Sequence, residues 1–352
     1  MFGANCHTTY TFFLVVLLKT INSQKFIFQT LGTIKFFSYK IYLRTNERSF
    51  NMIIKSRSEP NELVILKALR NRMNLSKTDQ QNYTSLKKGF EGELLFDLLL
   101  EKLECDCFVL NDLLLKTNNQ TFQIDSLIIF SNVVYLLEIK NYSGNYRYKS
   151  EKLFQKEQTE ITNPLIQLYR TESLLRQLFL KLNFNFSIQS SVIFINPEFT
   201  LYQAPLDIPF IFPSQLNSFI KSVNSHQSKL NEQHKKLAEH LSSLHIEHNP
   251  YQHCPPYNYQ QLRKGMPCPA CFSFSITITG KKCTCTSCGN TELVESAVVR
   301  NVKEFKLLFP DEKVTTSKMY EWCKIIESRR RILRILKKNF KSIDTFRRIH
   351  FE

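Results

Sequence analysis

The sequence predicts an α/β chain in which a mixed sheet flanked by helices is followed by a small cysteine-bearing ribbon and a basic helical module. Three observations carry this. Residues 122–130 and 133–140 are strand-like runs joined by Ser131 and Asn132. Residues 86–103 and 164–178 place apolar side chains at helical spacing. Cys268, Cys271, Cys285 and Cys288 stand as two CxxC pairs ahead of a stretch rich in lysine and arginine.

The two strands define the first candidate site. A two-residue turn at Ser131 and Asn132 pairs Phe130 with Val133, and the register counted back sets Asp125 opposite Glu138. Like charges across a sheet, with Cβ atoms about 5 Å apart, destabilise it unless a divalent cation lies between them. Lys140 shares the face of Glu138, because strand side chains repeat every second residue. Carboxylates that hold Mg²⁺ or Mn²⁺, with a lysine to steady a water or a charge developing on phosphorus, are what metal-dependent phosphodiester hydrolysis requires. The competing reading is a surface hairpin with three solvated charges. Ile128, Ile129, Leu136, Leu137 and Ile139 oppose it, since they describe a strand buried on both faces.

Two further polar residues fall at helix margins. Glu93 stands three residues after Phe90 and seven before Leu100, beside the apolar stripe of a helix over 86–103, which directs it toward the sheet. Otherwise it is an interfacial glutamate. Gln167 follows Pro164 in the first turn of a helix that continues through Leu168, Leu174, Leu175 and Leu178. Taken alone it reads as a solvated helix residue.

In order, Gly89, Gly92 and Glu93, then Asp125, then Glu138, Ile139 and Lys140 with Gly144, then Asn163, Pro164 and Gln167, resemble the NERD family, the nuclease-related domain. The resemblance covers roughly residues 86–196 and implies the restriction-endonuclease-like, PD-(D/E)xK fold. It implies Asp125 and Glu138 as metal ligands, Lys140 as the catalytic lysine, Glu93 as an acid from the first helix and Gln167 as a contributor from the next. One departure stands out: Ile124, not proline, precedes Asp125.

The chain has 352 residues with 43% hydrophobic content, enough for two or three packed domains. Its 47 basic and 31 acidic residues give a formal charge of +16, which favours a polyanionic partner, although it could also serve a membrane surface. Phe, Ile, Lys, Asn and Tyr are abundant and Gly is sparse at 8, so part of the basic excess reflects an AT-rich coding bias. Residues 10–18 are apolar over too short a stretch to span a bilayer, with no basic residue before it and no clear cleavage site after it. Met52 reads as the natural start and residues 1–51 as a poorly ordered extension, the alternative being an N-terminal anchor. Clustered cysteines without a secretory signal place the protein in a reducing compartment, by default the cytoplasm.

The two CxxC turns, separated by residues 272–284, present four thiolates to one ion and form a closed structural Zn²⁺ site on a short ribbon, with Phe272, Phe274, Ile276 and Ile278 alternating along its strand. Cys283 could substitute for Cys285, and a redox dithiol is the other reading. Three helices follow, over 297–309, 317–326 with Thr315 or Thr316 as N-cap, and 328–340. From Lys318 to Arg348 there are eleven basic residues against Glu321, Glu327 and Asp344. Ile332, Leu333, Leu336 and Phe340 are expected inward, which leaves the basic residues outward in a helix-turn-helix-like unit or in a solvated helix against the ribbon.

Elsewhere, 191–195 reads as a buried strand and 210–212 as an edge strand, while His226, His234, His240, His245, His248 and His253 lack metal-binding spacing and read as solvated. The expected division is an extension over 1–51, a helical segment over 52–85, the nuclease-like domain over 86–225, a helix and linker over 226–256, the ribbon over 264–292 and the basic module over 296–350. The expected activity is metal-dependent hydrolysis of DNA, without a small-molecule cofactor and away from membranes. A nucleic-acid-binding protein that kept the fold, and an adaptor whose ribbon binds proteins, are the competitors.

Overall fold

The computed structural model describes residues 51–156, 159–226, 229–247, 253–345 and 348–352. The extension expected over 1–51 therefore lies, up to residue 50, outside the described residues. The chain divides into two compact units, one whose described part is Asn51–Leu262 and a second whose described part lies within Arg263–Glu352.

The first unit is built on a six-stranded mixed sheet. Its strands are β1 (Asn51–Lys55), β2 (Cys107–Thr117), β3 (Gln120–Ile129), β4 (Val133–Lys140), β8 (Ser187–Phe194) and β10 (Phe210–Ile211), in that spatial order. β2, β3 and β4 form an antiparallel meander; β1 runs parallel to β2, and β8 and β10 continue parallel from β4. A smaller sheet holds β5 (Gly144–Lys149), β6 (Lys152–Gln155), β7 (Thr159–Ile161) and β9 (Phe199–Tyr202).

The turns explain the meander. Asn118 and Asn119 both adopt positive φ, 46° and 59°, the conformation a tight two-residue hairpin between β2 and β3 demands and asparagine tolerates. Between β3 and β4 the Phe130 N–H donates to the Val133 carbonyl at 3.0 Å, so Ser131 and Asn132 make the expected two-residue turn.

The helices are α1 (Asn61–Arg72), α2 (Lys77–Leu100), α3 (Pro164–Lys181), α4 (Leu216–Asn224) and α5 (Glu232–Ser243). Alternation along the strands sorts them into two layers. Leu127, Ile129, Val134 and Leu136 face a core closed by Leu168, Leu175 and Leu178 of α3 and Leu237 and Leu241 of α5. Ile128, Phe130, Tyr135, Leu137 and Ile139 face the other side, against Phe96 and Leu100 of α2 and Ile220 of α4. Both faces of β3 and β4 are covered, which removes the reading as an exposed hairpin.

Three histidines are not solvated as expected. His234 is buried, its Nε2 bonded to the Ser131 carbonyl at 2.9 Å; His226 Nε2 meets the Tyr135 hydroxyl at 2.7 Å; His245 Nδ1 accepts the Leu114 N–H at 3.0 Å. Each satisfies a polar group at the sheet margin. His248 lies outside the described residues.

The second unit opens with a three-stranded ribbon of β11 (Ile276–Thr279), β12 (Lys282–Cys285) and β13 (Thr291–Leu293). The strand begins at Ile276, not Phe272: the Phe272 N–H closes the first knuckle onto the Cys268 carbonyl at 3.0 Å, and its φ of 59° takes it out of extended backbone. Three helices follow, α6 (Val294–Leu308), α7 (Thr316–Cys323) with Thr315 as N-cap, and α8 (Arg329–Asn339). Trp322 stacks edge-on against Phe305 and Phe309 in their core. On α8 the buried residues are Ile332, Ile335 and Leu336. Leu333 is only half-buried, because its side chain is turned about 100° away from Ile332. A hairpin that the sequence did not announce, β14 (Ser342–Thr345) with β15 (Arg348–Phe351), ends the chain, and Val314 bridges to Phe351.

Candidate functional site

The site forms where the ladder of β3 and β4 stops. The last paired residues are Ser126 and Leu137, so the same register continued by one step places Asp125 opposite Glu138. Bonded pairs alternate along an antiparallel ladder, and the next would join Ile124 to Ile139. Instead the Ile139 N–H donates to the carboxylate of Asp125, at 2.8 Å from Oδ2. On the other side of β3, Asp112 stands across from Asp125 with a left-handed φ of 55°, and Lys55 Nζ takes up the backbone carbonyls of Asn111 and Asp112 at 2.9 and 2.5 Å. Strands β1 to β4 thus open at one level. The resulting cleft, about 660 Å³, is lined by Glu93, Asp125, Glu138, Lys140 and Gln167 among others, so all five polar residues singled out in the sequence meet in one place.

They arrive from four elements. Glu138 and Lys140 continue the β4 face that packs on α3, and Lys140 Nζ donates to Glu138 Oε1 at 2.6 Å and to Gln167 Oε1 at 3.2 Å. Gln167 stands in the first turn of α3, which Asn163 caps by accepting the Leu165 N–H at 3.1 Å. Glu93 comes from α2, on the opposite side of the sheet. Gly92 makes that approach possible: a Cβ there would lie 2.4 Å from the Asn141 Cβ just beyond β4.

The residue that sequence reasoning missed is Arg57. Its side chain is 1% exposed, and its guanidinium bonds Glu93 Oε2 at 2.7 Å, both Asp97 oxygens at 3.0 and 3.1 Å, and the Asp125 carbonyl at 2.8 Å. No periodicity marks it, since Arg57 reaches the site only because β1 pairs with β2, more than fifty residues away. The one available signal was a cation demand created by two acids four residues apart on α2, Glu93 and Asp97.

Burial sets the electrostatics. It raises the Glu138 carboxyl to about 8, reinforced by the charge of Asp125 and opposed by Lys140. It raises Glu93 to about 7, with Asp125 again adding and Arg57 opposing, and it raises Asp125 as well. Burial works against the Lys140 ammonium, but the carboxylates of Glu138 and Asp125 outweigh it and hold Lys140 above its ordinary value. Lys140 is therefore a fixed cation between acids that resist ionising together.

Into this geometry falls a family match: the model described as NERD, nuclease-related domain, covers residues 88–195. Residues 88–195 are a match to the nuclease-related domain. No curated protein and no solved structure matches it. The matched segment of the nuclease-related domain holds Glu93, Asp125, Glu138, Lys140 and Gln167, whereas Arg57 and the cysteine-bearing unit lie outside it.

The second candidate site is the cysteine quartet. The ligand atoms of Cys268, Cys271, Cys285 and Cys288 all lie within 4.8 Å of one another. The Cys268–Cys288 and Cys271–Cys285 sulfur pairs are each 3.6 Å apart, close to the roughly 3.8 Å edge of a tetrahedron with Zn–S bonds of about 2.3 Å. The quartet could hold a structural zinc, and it fits a zinc ribbon. Cys283 is not part of it: buried on β12, its thiol is pushed up to about 11 by desolvation and behaves as a core residue. Among the described residues no helix is long and apolar enough to cross a membrane.

Proposed function

We propose that this protein is a metal-dependent nuclease acting on DNA, with the cleft where the β3–β4 ladder stops as its active site. The observation that carries this reading is the convergence of Asp125, Glu138 and Lys140 at a break in the ladder, with both carboxyls raised by burial and Glu138 raised further by the charge of Asp125. Such a pair gains from a hard cation what it loses to desolvation.

Asp125 and Glu138 would hold Mg²⁺ or Mn²⁺, with the Ile139 carbonyl as a further oxygen. The ion, when bound, would supply charge neutralisation at the scissile phosphate and a more acidic water. The residues do the rest. Asp125 keeps one oxygen on the Ile139 N–H, which orients the other. Lys140, its ammonium favoured by the Glu138 and Asp125 carboxylates, would offset the charge that grows on the phosphoryl oxygens. Gln167 steadies the Lys140 ammonium, and Arg57 holds Glu93 at the rim. The zinc ribbon and the basic module would add salt-sensitive affinity for nucleic acid.

A second reading is favoured by the Lys140–Glu138 contact itself. At 2.6 Å the cluster is partly self-compensated, as in a protein that binds nucleic acid without cutting it. The test is cleavage of labelled single- and double-stranded DNA by the full chain with Mg²⁺, with Mn²⁺, or with neither, beside Glu138→Gln and Lys140→Ala. Metal-dependent cutting that both substitutions abolish supports the nuclease. Cutting that survives both, or binding without cutting, overturns it.

A further inference from the structure

The C-terminal unit carries charge that the cleft does not use. α8 reads RRRILRILKKN, six basic residues in eleven and no acid. Its apolar side, Ile332, Ile335 and Leu336, is buried, so the opposite side faces water. On that side, at i, i+4 and i+7, stand Arg330, Arg334 and Lys337, all exposed.

Their neighbours on the helix are committed within the unit. The Arg329 guanidinium lies 5.2 Å from the Tyr320 ring centre, Arg331 donates to the Gly280 carbonyl at 2.6 Å, and Lys338 pairs with Glu295 at 2.9 Å. Arg330, Arg334 and Lys337, by contrast, have no ion-pair or hydrogen-bond partner among the described residues. Three like charges at helical spacing repel, and none of the three is paired.

We propose that Arg330, Arg334 and Lys337 form a phosphate-contacting stripe through which α8 lies in the major groove of double-stranded DNA. The stripe runs about 10 Å along the helix, and a major groove about 12 Å wide admits such a helix between two phosphate rows. The order of the elements agrees: α7, a turn in which Lys324 adopts φ 58°, α8, then the β14–β15 hairpin, the arrangement of a helix-turn-helix with a strand pair beside its second helix. That order is an analogy of fold; the unpaired stripe is the warrant. A single strand is disfavoured, because single-strand sites stack bases on exposed aromatics and this stripe has none. A bilayer is disfavoured too, since a basic amphipathic helix inserts its apolar face and here that face is inside the unit.

The inference deepens the nucleic-acid side of the proposed function and needs no cleavage to hold. The experiment is fluorescence anisotropy of a labelled duplex with the full chain carrying Glu138→Gln, so that cutting cannot interfere. Arg330→Ala/Arg334→Ala/Lys337→Ala is compared with Lys303→Ala/Lys306→Ala/Lys313→Ala, which removes the same charge from other exposed positions of the unit. Each is checked for an unchanged thermal melt. The α8 triple is expected to lower affinity by on the order of tenfold or more at moderate salt and to cut the log–log salt slope by about three, while the control triple changes either little. Equal losses in both triples, duplex binding untouched by the α8 triple, a preference for single strands, or tighter binding to phosphatidylglycerol vesicles through the same three residues would each overturn it. Duplex binding that depends on the stripe, together with no cleavage by the unsubstituted chain, would sink the nuclease and leave this inference standing.

Discussion

The Asp125 carboxylate accepts the Ile139 N–H at 2.8 Å, taking the place that the Ile124 carbonyl would hold in an uninterrupted β3–β4 ladder. One side chain thus both terminates the pairing and stays within the cleft. Asp125→Asn keeps the shape but loses the charge, and as a ligand it retains one oxygen. On the proposed reading it costs activity on the order of a hundredfold or more while leaving the melt nearly unchanged. Asp125→Ala is expected to lower the melt as well, since the Ile139 N–H is then left unpaired in a buried place, a cost of about 1–3 kcal/mol. Equal melts for the two variants would contradict this division.

Arg57 is the second test. Removing it leaves Glu93 and Asp97 facing each other without their cation, and breaking a buried pair costs about 3–5 kcal/mol. Arg57→Gln is expected to shift the urea midpoint accordingly. In Glu93→Gln/Asp97→Asn/Arg57→Gln most of that loss should return, because the unpaired charges are gone. A midpoint unmoved by Arg57→Gln would show that the cluster carries no stability.

The raised carboxyls give a pH dependence with a definite sign. Glu93 at about 7 and Glu138 at about 8 hold their protons more tightly folded than unfolded. Their contribution to stability is complete below about pH 4.5 and is lost as pH rises through 7 to 8. Without divalent ions the melting temperature of the first unit should therefore fall over that range, by roughly 5 °C or more. Mg²⁺ requires the ionised carboxylates, so its stabilising effect should be small at pH 6 and large at pH 8.5. A Mg²⁺ shift that is flat with pH, or absent, argues against cation binding by this pair.

Gly92→Ala tests the approach of α2 to β4. The added Cβ would sit 2.4 Å from the Asn141 Cβ, so one element must move. A destabilisation of about 1–3 kcal/mol is expected, against a small gain for the same change at Gly89, where nothing lies within 4 Å of the added atom. Equal effects at the two glycines would contradict the contact.

For the ribbon, Cys271→Ser or Cys288→Ser should abolish stoichiometric zinc and lower the melt of the second unit, because metal binding there is folding free energy. Cys283→Ser should keep the zinc. Zinc retained by Cys285→Ser but lost by Cys283→Ser would reverse the ligand assignment.

Much of this was legible in the chain because period-two patterning and a two-residue turn leave one register, and that register places Asp125 across from Glu138. Glu93 was legible from the apolar stripe beside it and from its order along the chain, whereas Gln167, exposed on its helix, was found by order alone. Arg57 was not legible, since its role exists only through a parallel pairing with a distant strand. The bonded histidines were missed for the same reason: His234 is buried by the β3–β4 turn, not by its own helix. On α8 the inward residue is Ile335 where Leu333 was expected; a helix flanked by charges on every turn leaves the centre of its apolar arc poorly defined by sequence.

The pairing of β1 with β2 also bears on how this domain can be moved or inherited. The segment that matches the family begins at residue 88, yet the guanidinium that neutralises two of its acids enters from residue 57, just past the edge strand β1. A graft or truncation cut at the borders of the match would carry the carboxylates and leave their counter-ion behind. The smallest transferable piece of this protein is longer than its recognisable one.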